Sequence, residues 1–126
     1  MRLLIIESSI EIILRLEEML SELATVGTIH SAASYEKGLK LFHEKKPDVV
    51  LMDIFLPENK SLSLLAEMKT ANDNTSFIVL LSNAIDFKNE WCKKLGADHL
   101  IDKYHDFERI PAIVNGISLN KMMAKN

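Results

Sequence analysis

Short apolar runs alternate along this chain with longer segments in which apolar residues recur at helical spacing. Helices are predicted between and after five strands, whose sequences are RLLIIE, GTIHSA, DVVLMDI, FIVLL and HLIDK. Strands joined by helical crossovers must be mostly parallel, and right-handed crossovers place helices on both faces of an open sheet. The pattern therefore predicts an α/β domain with a doubly wound, five-stranded parallel sheet. Ligands of such sheets bind outside the carboxyl ends of the strands.

Residues near three helix ends predict where those helices begin or stop. Ser61 is a candidate N-cap for the third helix, and Gly96 is expected to end the fourth. The tail from Asp106 to Met123 is predicted as a fifth helix. Pro111 lies too far inside it if Asp106 is the cap, so the first residue of this helix stays open.

Length, charge and composition narrow the class of protein. The 126 residues, 48% of them hydrophobic, suit one domain over residues 1–126, and no linker or low-complexity tract indicates an effector domain. A net charge of −3 gives no basic footprint for a phosphate backbone, so no direct nucleic-acid partner is expected. Without a leader peptide or a membrane-spanning apolar run in the sequence, we expect a cytoplasmic protein that does not bind membranes.

A single carboxylate, Asp53, interrupts the apolar run VVLMDIFLP. An ionised and unpaired carboxylate inside an apolar core costs several kcal/mol, so it needs a charged partner, a metal or a place at the strand end. Three other polar residues also follow apolar strands: Glu7, Ser82 and Lys103. We expect all four at one edge of the sheet, with Lys103 as counter-ion and Glu7 as a second carboxylate for a shared cation.

Four segments carry a resemblance to a known family: LLIIESS, VVLMDIFLP, VLLSNA and GADHLIDK. Along essentially its whole length the chain resembles the receiver domain of bacterial two-component response regulators. The resemblance implies the flavodoxin-like (βα)5 fold with strand order 2-1-3-4-5. It also implies that Asp53, followed at the family's spacing by Pro57, accepts a phosphoryl group. Lys103 would contact that group, and the hydroxyl of Ser82 would reorient toward it.

The same resemblance implies a Mg²⁺ site formed by Glu7, Asp53 and Phe55. The family usually places a second carboxylate where this chain has Ser8, and a hydroxyl is a poorer Mg²⁺ ligand. Ser8 is followed by Glu11 at the spacing of a capping box, so we favour a cap over a metal role for Ser8. We therefore expect Mg²⁺ to be bound weakly.

Other positions also depart from the family pattern. Asn83 replaces a very small residue and is expected to restrict the approach of phosphoryl donors. Leu100 replaces the aromatic residue that usually moves with the hydroxyl, and Tyr104 replaces the proline after the lysine. Ser61 stands where the family has a glycine. We therefore expect an altered switch and a different turn before the third helix.

The sequence thus predicts a stand-alone receiver domain, phosphorylated on Asp53, that signals by protein contacts and is not a metabolic enzyme. A histidine kinase or phosphotransfer protein and a downstream protein are the expected partners, with a homodimer as a further option. The alternative is a pseudo-receiver, in which Ser8 and Asn83 prevent phosphorylation and the fold serves as a binding or dimerisation module.

Overall fold

The computed structural model describes residues 1–56, 60–82 and 86–124, and for residues 86–89 and 91 it describes the backbone alone. Strands and helices alternate along the chain. They are β1 (Arg2–Ile6), α1 (Ile10–Ser21), β2 (Thr28–Ala32), α2 (Tyr35–Lys45), β3 (Val49–Asp53), α3 (Ser61–Ala71), β4 (Ser76–Leu81), α4 (Asp86–Leu95), β5 (His99–Asp102) and α5 (Ile110–Ala124).

The strands form one parallel sheet in the order β2-β1-β3-β4-β5, which confirms the predicted fold. All five residues of β3 are buried, because this strand has a neighbour on each side and helices on both faces. Asp53 is its last residue and lies opposite Leu80 of β4. The central strand therefore delivers a carboxylate to the edge where the strands end.

Successive strand residues point to opposite faces of the sheet, so they contribute to two separate hydrophobic layers. One layer joins Leu3, Ile5 and Leu51 to side chains of α1 and α5. The other joins Leu4, Val50 and neighbouring strand residues to side chains of α2, α3 and α4. The sheet is thus covered on both faces, and its carboxyl edge is left to polar residues.

The first helix begins one residue later than the capping-box prediction required. Ser9, not Ser8, is the N-cap: its backbone is extended, and its hydroxyl accepts a hydrogen bond from Ile12 N at 3.4 Å. Because Ser9 holds the N-cap position, the predicted box between Ser8 and Glu11 is wrong; Ser8 itself is exposed. Leu23 continues the helical spacing of Leu16 and Leu20 in the sequence, which predicts that it belongs to the same helix, but it lies beyond the end of α1.

Two further helix ends test the sequence predictions. Gly96 directly follows α4 with φ +116, a conformation that glycine adopts readily, and this confirms its role as the stop. A 3₁₀ turn, Phe107–Arg109, precedes α5, which begins at Ile110. Pro111 therefore lies in the first turn, where its missing N–H is not needed, and the open question about the helix start is resolved.

Ser61 is not the cap of α3. It is the first residue of that helix; Lys60 takes the cap position and forms no capping hydrogen bond through its side chain. The Ser61 side chain is 2% exposed and bonds to the preceding loop instead.

Candidate functional site

Three of the four predicted site residues meet at the carboxyl edge of the sheet. The ammonium Nζ of Lys103 lies 3.5 Å from Glu7 Oε2 and 3.5 Å from Asp53 Oδ2. Glu7 is 0% exposed, Asp53 2% and Lys103 8%, so these charges are largely removed from water. Each residue ends or directly follows a strand, namely β1, β3 and β5. One ammonium group thus serves two buried carboxylates.

Asp53 is held by the loop that follows it. Its Oδ1 accepts a hydrogen bond from Phe55 N at 3.0 Å, while its Oδ2 faces Lys103. The hydroxyl of Ser61 donates to the backbone carbonyl of Asp53 at 2.9 Å and accepts from Leu56 N at 3.0 Å. Ser61 therefore ties the loop back onto the residue that the site depends on.

This role of Ser61 was not predicted from the sequence. Spacing and residue type both favoured a helix cap, because serine before an apolar helix is a typical N-cap. The observed partner is a carbonyl eight residues earlier in the chain, and only the folded loop brings it within reach. The one available signal was that serine stands where the resembled family has glycine.

The carboxylate of Glu7 is only partly satisfied. Oε1 accepts a hydrogen bond from Ser9 N at 3.1 Å. Oε2 is buried and accepts no hydrogen bond among the described residues; its partner is the ion pair with Lys103. Burial raises the pKa of the Glu7 carboxyl, and the negative charge of Asp53 raises it further, against the opposing effects of Ser9 N–H and Lys103. Burial and the neighbouring carboxylate therefore favour the protonated form of Glu7.

Ser82, the fourth predicted site residue, directly follows β4 and is half-buried. The backbone N–H of Lys103 donates to Leu81 O at 2.8 Å, so the strand ends that carry Ser82 and Lys103 are adjacent. Among the described residues, no hydrogen bond links the Ser82 hydroxyl to the carboxylates or to the ammonium. Ser82 thus lies at the same edge of the sheet, but it forms no hydrogen bond through its hydroxyl with Glu7, Asp53 or Lys103, all of which the structure describes.

The donor atoms can be tested against a bound Mg²⁺. This ion is usually held by one or two carboxylates and several waters, and Glu7 and Asp53 supply two carboxylates, one of them with an oxygen that accepts no hydrogen bond. Within residues 1–56, 60–82 and 86–124, no group of three or more His, Cys, Asp and Glu side chains is arranged to hold a metal. Ser8, next to Glu7, is exposed. The residues fit Mg²⁺ with a minimal donor set, and Lys103 competes for both carboxylates.

The turn after β5 uses a residue that departs from the family pattern. Tyr104 N donates to Asp102 Oδ1 at 2.8 Å, and His105 N donates to the same oxygen at 3.0 Å. The hydrogen bond from Tyr104 lowers the pKa of Asp102. A proline in place of Tyr104 has no N–H for this bond, so the turn that follows Lys103 is built differently here.

Four further residues were named from the sequence, and the structure describes two of them, Leu100 and Phe55. Leu100 is half-buried in β5 and packs against the hydrophobic layer under α2, α3 and α4. Phe55 is 38% exposed. Asn83 and Pro57 lie outside the described residues, so the predicted restriction by Asn83 stays a prediction.

Comparisons with known proteins agree on one family. Residues 3–115 match the model described as the response regulator receiver domain. The chain is 31% identical over 103 residues to an uncharacterized response regulatory protein of Vibrio vulnificus (strain CMCP6), covering 82% of this chain and 41% of the relative. It is 29% identical over 79 residues to the transcriptional regulatory protein MalR of Bacillus subtilis (strain 168), covering 62% and 33%. The chain thus spans about a third to two fifths of these relatives.

Solved structures show the same fold. The receiver domain of a Francisella response regulator superimposes with a TM-score of 0.84 at 21% identity, covering 95% of this chain and 98% of that one. The signal receiver domain of a DNA-binding response regulator from Colwellia psychrerythraea 34H gives a TM-score of 0.85 at 24% identity, covering 92% and 96%. At such identities the likeness concerns the fold alone.

No helix in the described part of the chain is long and apolar enough to cross a membrane.

Proposed function

Because the family model matches residues 3–115, the chain belongs to the response regulator receiver domain family, and we propose that it is a switch that accepts a phosphoryl group on Asp53. Receiver domains of two-component signalling interact with histidine kinases or phosphotransfer proteins. The proposed donor is therefore a phosphohistidine, and the proposed output is a contact with a downstream protein. The observation that supports this most is the position of Lys103, 3.5 Å from both buried carboxylates.

The proposed reaction is a displacement at phosphorus. An Asp53 carboxylate oxygen forms a bond to phosphorus while the bond between phosphorus and the donor imidazole nitrogen breaks, and the imidazole leaves as it takes up a proton. Negative charge gathers on the phosphoryl oxygens, and the ammonium of Lys103 lies where it can balance that charge. Phe55 N–H holds the other oxygen of Asp53 in place, which fixes the carboxylate orientation.

Mg²⁺, when bound, would lower the charge repulsion between the donor phosphoryl group and the site. Glu7 and Asp53 are the residues proposed to hold it. Glu7 can do so only when ionised, and its raised pKa means that a proton competes with the metal for this side chain. We therefore propose that metal affinity rises with pH until Glu7 is fully ionised.

Ser82 is proposed to respond to phosphorylation. Its position directly after β4, beside Lys103 at the same edge, supports this role. The added group carries about −1.5 to −2 charges and three acceptor oxygens, which a hydroxyl at this edge can reach as a hydrogen-bond donor. The segment that follows Ser82 would then shift and present a changed surface to the downstream partner.

A second candidate function, a pseudo-receiver that binds proteins without phosphorylation, is favoured by one observation. Ser8 is exposed and supplies no carboxylate, while Lys103 already balances Glu7 and Asp53 in the described structure. A resting site that is paired in this way needs no metal to be stable. The same fold would then serve as a constitutive binding or dimerisation module.

Intact-mass measurement after incubation with acetyl phosphate and Mg²⁺ separates the two functions. The switch predicts a gain of one phosphoryl group that is labile to base and lost in Asp53→Asn. Lys40→Met, a change of a well-exposed lysine on α2, is the matched control and should be modified like the wild type. An unmodified wild-type protein, tested from pH 6 to pH 9, would leave the pseudo-receiver as the better proposal.

A further inference from the structure

A groove lies between α1 and the edge strand β2, away from the proposed phosphorylation site. Its volume is about 640 Å³, and its lining includes the apolar side chains Leu14, Val26 and Ile29 together with Glu17 and Glu18. It flanks the first half of β2, toward the amino ends of the strands. Since the carboxylates of the site lie at the carboxyl ends, this groove has no part in the chemistry proposed above.

The floor of the groove joins one exposed apolar side chain to two half-buried ones. Leu14 lies in the middle of α1, is 59% exposed and takes no part in either hydrophobic layer. Val26 and Ile29 are half-buried beside it and pack against the layer under α1. A single exposed leucine needs no explanation, but a leucine that extends an existing apolar surface into a groove is typical of a binding site.

The strand beside this floor has an unpaired edge. β2 pairs only with β1 in the sheet. The carbonyl of Ala32 accepts from Glu7 N on the β1 side, so alternation along the strand directs the N–H and C=O groups of Ile29 and Ser31 outward. Natural edge strands are usually protected by charged residues or proline, whereas Thr28–Ala32 contains neither. The edge is therefore open to pairing with another strand.

The charge of the groove selects among the strands that could pair there. Glu17 and Glu18 are its charged lining residues, and no cation in the described part of the chain forms an ion pair with either. A second copy of this chain would bring its own Glu17 and Glu18 to the same place, and the like charges would repel. An extended segment with basic residues two positions before and two positions after an apolar residue has complementary charge instead, because these three side chains lie on the same face of the strand.

We propose that the open edge of β2 and the adjoining groove bind a basic, extended segment of a partner protein by strand addition. The backbone of the segment pairs with Ile29 and Ser31, one apolar side chain packs on Leu14 and Ile29, and lysine or arginine side chains lie against Glu17 and Glu18. Backbone hydrogen bonds supply affinity in this mode, and the alternating side chains supply specificity. The interaction does not require phosphorylation of Asp53.

A blocked synthetic peptide, acetyl-Lys-Thr-Val-Thr-Lys-amide, carries its two lysines and its valine on one face when extended, and it tests the proposal on the 126-residue chain by NMR titration. Binding should shift the amide signals along β2 and slow hydrogen exchange at Ile29 and Ser31. Thr28 and His30, whose backbone groups face β1, serve as internal controls and should change little in exchange. Alternate residues of the bound peptide direct their N–H groups toward β2, and the others direct them away. N-methylation of a residue in the first set should weaken binding by at least roughly tenfold, and in the second set much less.

Variants with matched controls complete the test. Glu17→Gln with Glu18→Gln should weaken binding by roughly fivefold, while Glu11→Gln on the same helix should not. Leu14→Lys should weaken it strongly, and Leu119→Lys, at a leucine of similar exposure on α5, should leave it unchanged. Binding that ignores both the methylation pattern and the glutamate changes would be general charge attraction and would overturn the proposal. So would protection from exchange that arises from dimerisation of the chain without peptide.

Discussion

Replacing Lys103 by methionine is the most informative change at the site, because it removes the shared charge and keeps most of the apolar stem. Breaking a buried ion pair by deleting one partner typically costs about 3–5 kcal/mol, since an uncompensated charge is left in the interior. Here two carboxylates with exposures of 0% and 2% lose their common partner. We expect a loss in the free energy of unfolding of that size at pH 8.

The loss should shrink at lower pH, and the sign follows from Glu7. Lys103 lowers the pKa of Glu7, against the larger upward effects of burial and Asp53, so deleting Lys103 raises that pKa further. A protonated Glu7 carries no charge and relieves the repulsion with Asp53. The variant therefore regains stability as the pH falls below 8 toward the raised pKa of Glu7.

Urea unfolding of four proteins at pH 8 and pH 5.5 measures this effect: wild type, Lys103→Met, Glu7→Gln and the double variant. The double variant should recover a large part of the loss, because only Asp53 then lacks its partner. Lys40→Met, at a pair exposed on both sides, should cost less than about 0.5 kcal/mol and controls for the general loss of a lysine. An equal loss at both pH values, without recovery in the double variant, would refute the proposed sharing of one ammonium by two carboxylates.

Three further changes test other parts of the site. Glu7→Gln should raise the free energy of unfolding that urea measures at pH 8. Because the raised pKa of Glu7 makes wild-type stability fall as pH rises above about 4.3, this gain should vanish near pH 4, and a gain that does not change with pH would contradict the reasoning. Ser61→Ala leaves a buried N–H and a buried carbonyl without partners and should cost about 2–4 kcal/mol, whereas Ser61→Thr should restore stability and the rate of acetyl phosphate labelling together; normal labelling in Ser61→Ala would contradict a positioning role. Ser8→Asp should tighten Mg²⁺ binding by roughly tenfold in calorimetry with little change in stability, because Ser9 supplies the cap; an unchanged affinity would mean that this position does not face the metal.

The fold and the meeting of Glu7, Asp53 and Lys103 follow from features that a sequence displays. Apolar runs of strand length, separated by helical segments, dictate parallel pairing, and parallel pairing brings all strand ends to one edge. The polar residues that terminate the runs must then meet there.

The helix starts were harder to predict, because neighbouring residues satisfied the same local rule. Ser8 and Ser9 are both good caps, and the glutamate three residues after Ser8 favoured the wrong one. The structure selects Ser9, whose N–H donates to the buried carboxylate of Glu7. The N-cap predicted at Ser61 was wrong for a similar reason. Its hydroxyl bonds to the backbone carbonyl of Asp53, which only the folded loop brings within reach. Both errors lie beside the site, where tertiary contacts override local propensity.

Ser8 stands where the family usually places a carboxylate, and we expect the missing negative charge to affect both metal binding and switching. With Glu7 and Asp53 ionised and Lys103 charged, these three groups sum to −1, and protonation of Glu7 brings the sum to zero. A further carboxylate at Ser8 would make each sum more negative by one and so would increase both the attraction for Mg²⁺ and the repulsion within the empty site. We therefore expect weaker Mg²⁺ binding together with less repulsion in the resting site than a further carboxylate would cause. A phosphoryl group of about −1.5 to −2 charges then exceeds what one lysine can balance. We expect that excess charge to drive the recruitment of Ser82, so phosphorylation should shift the Ser82 amide signal in wild type and shift it much less in Ser8→Asp at saturating Mg²⁺.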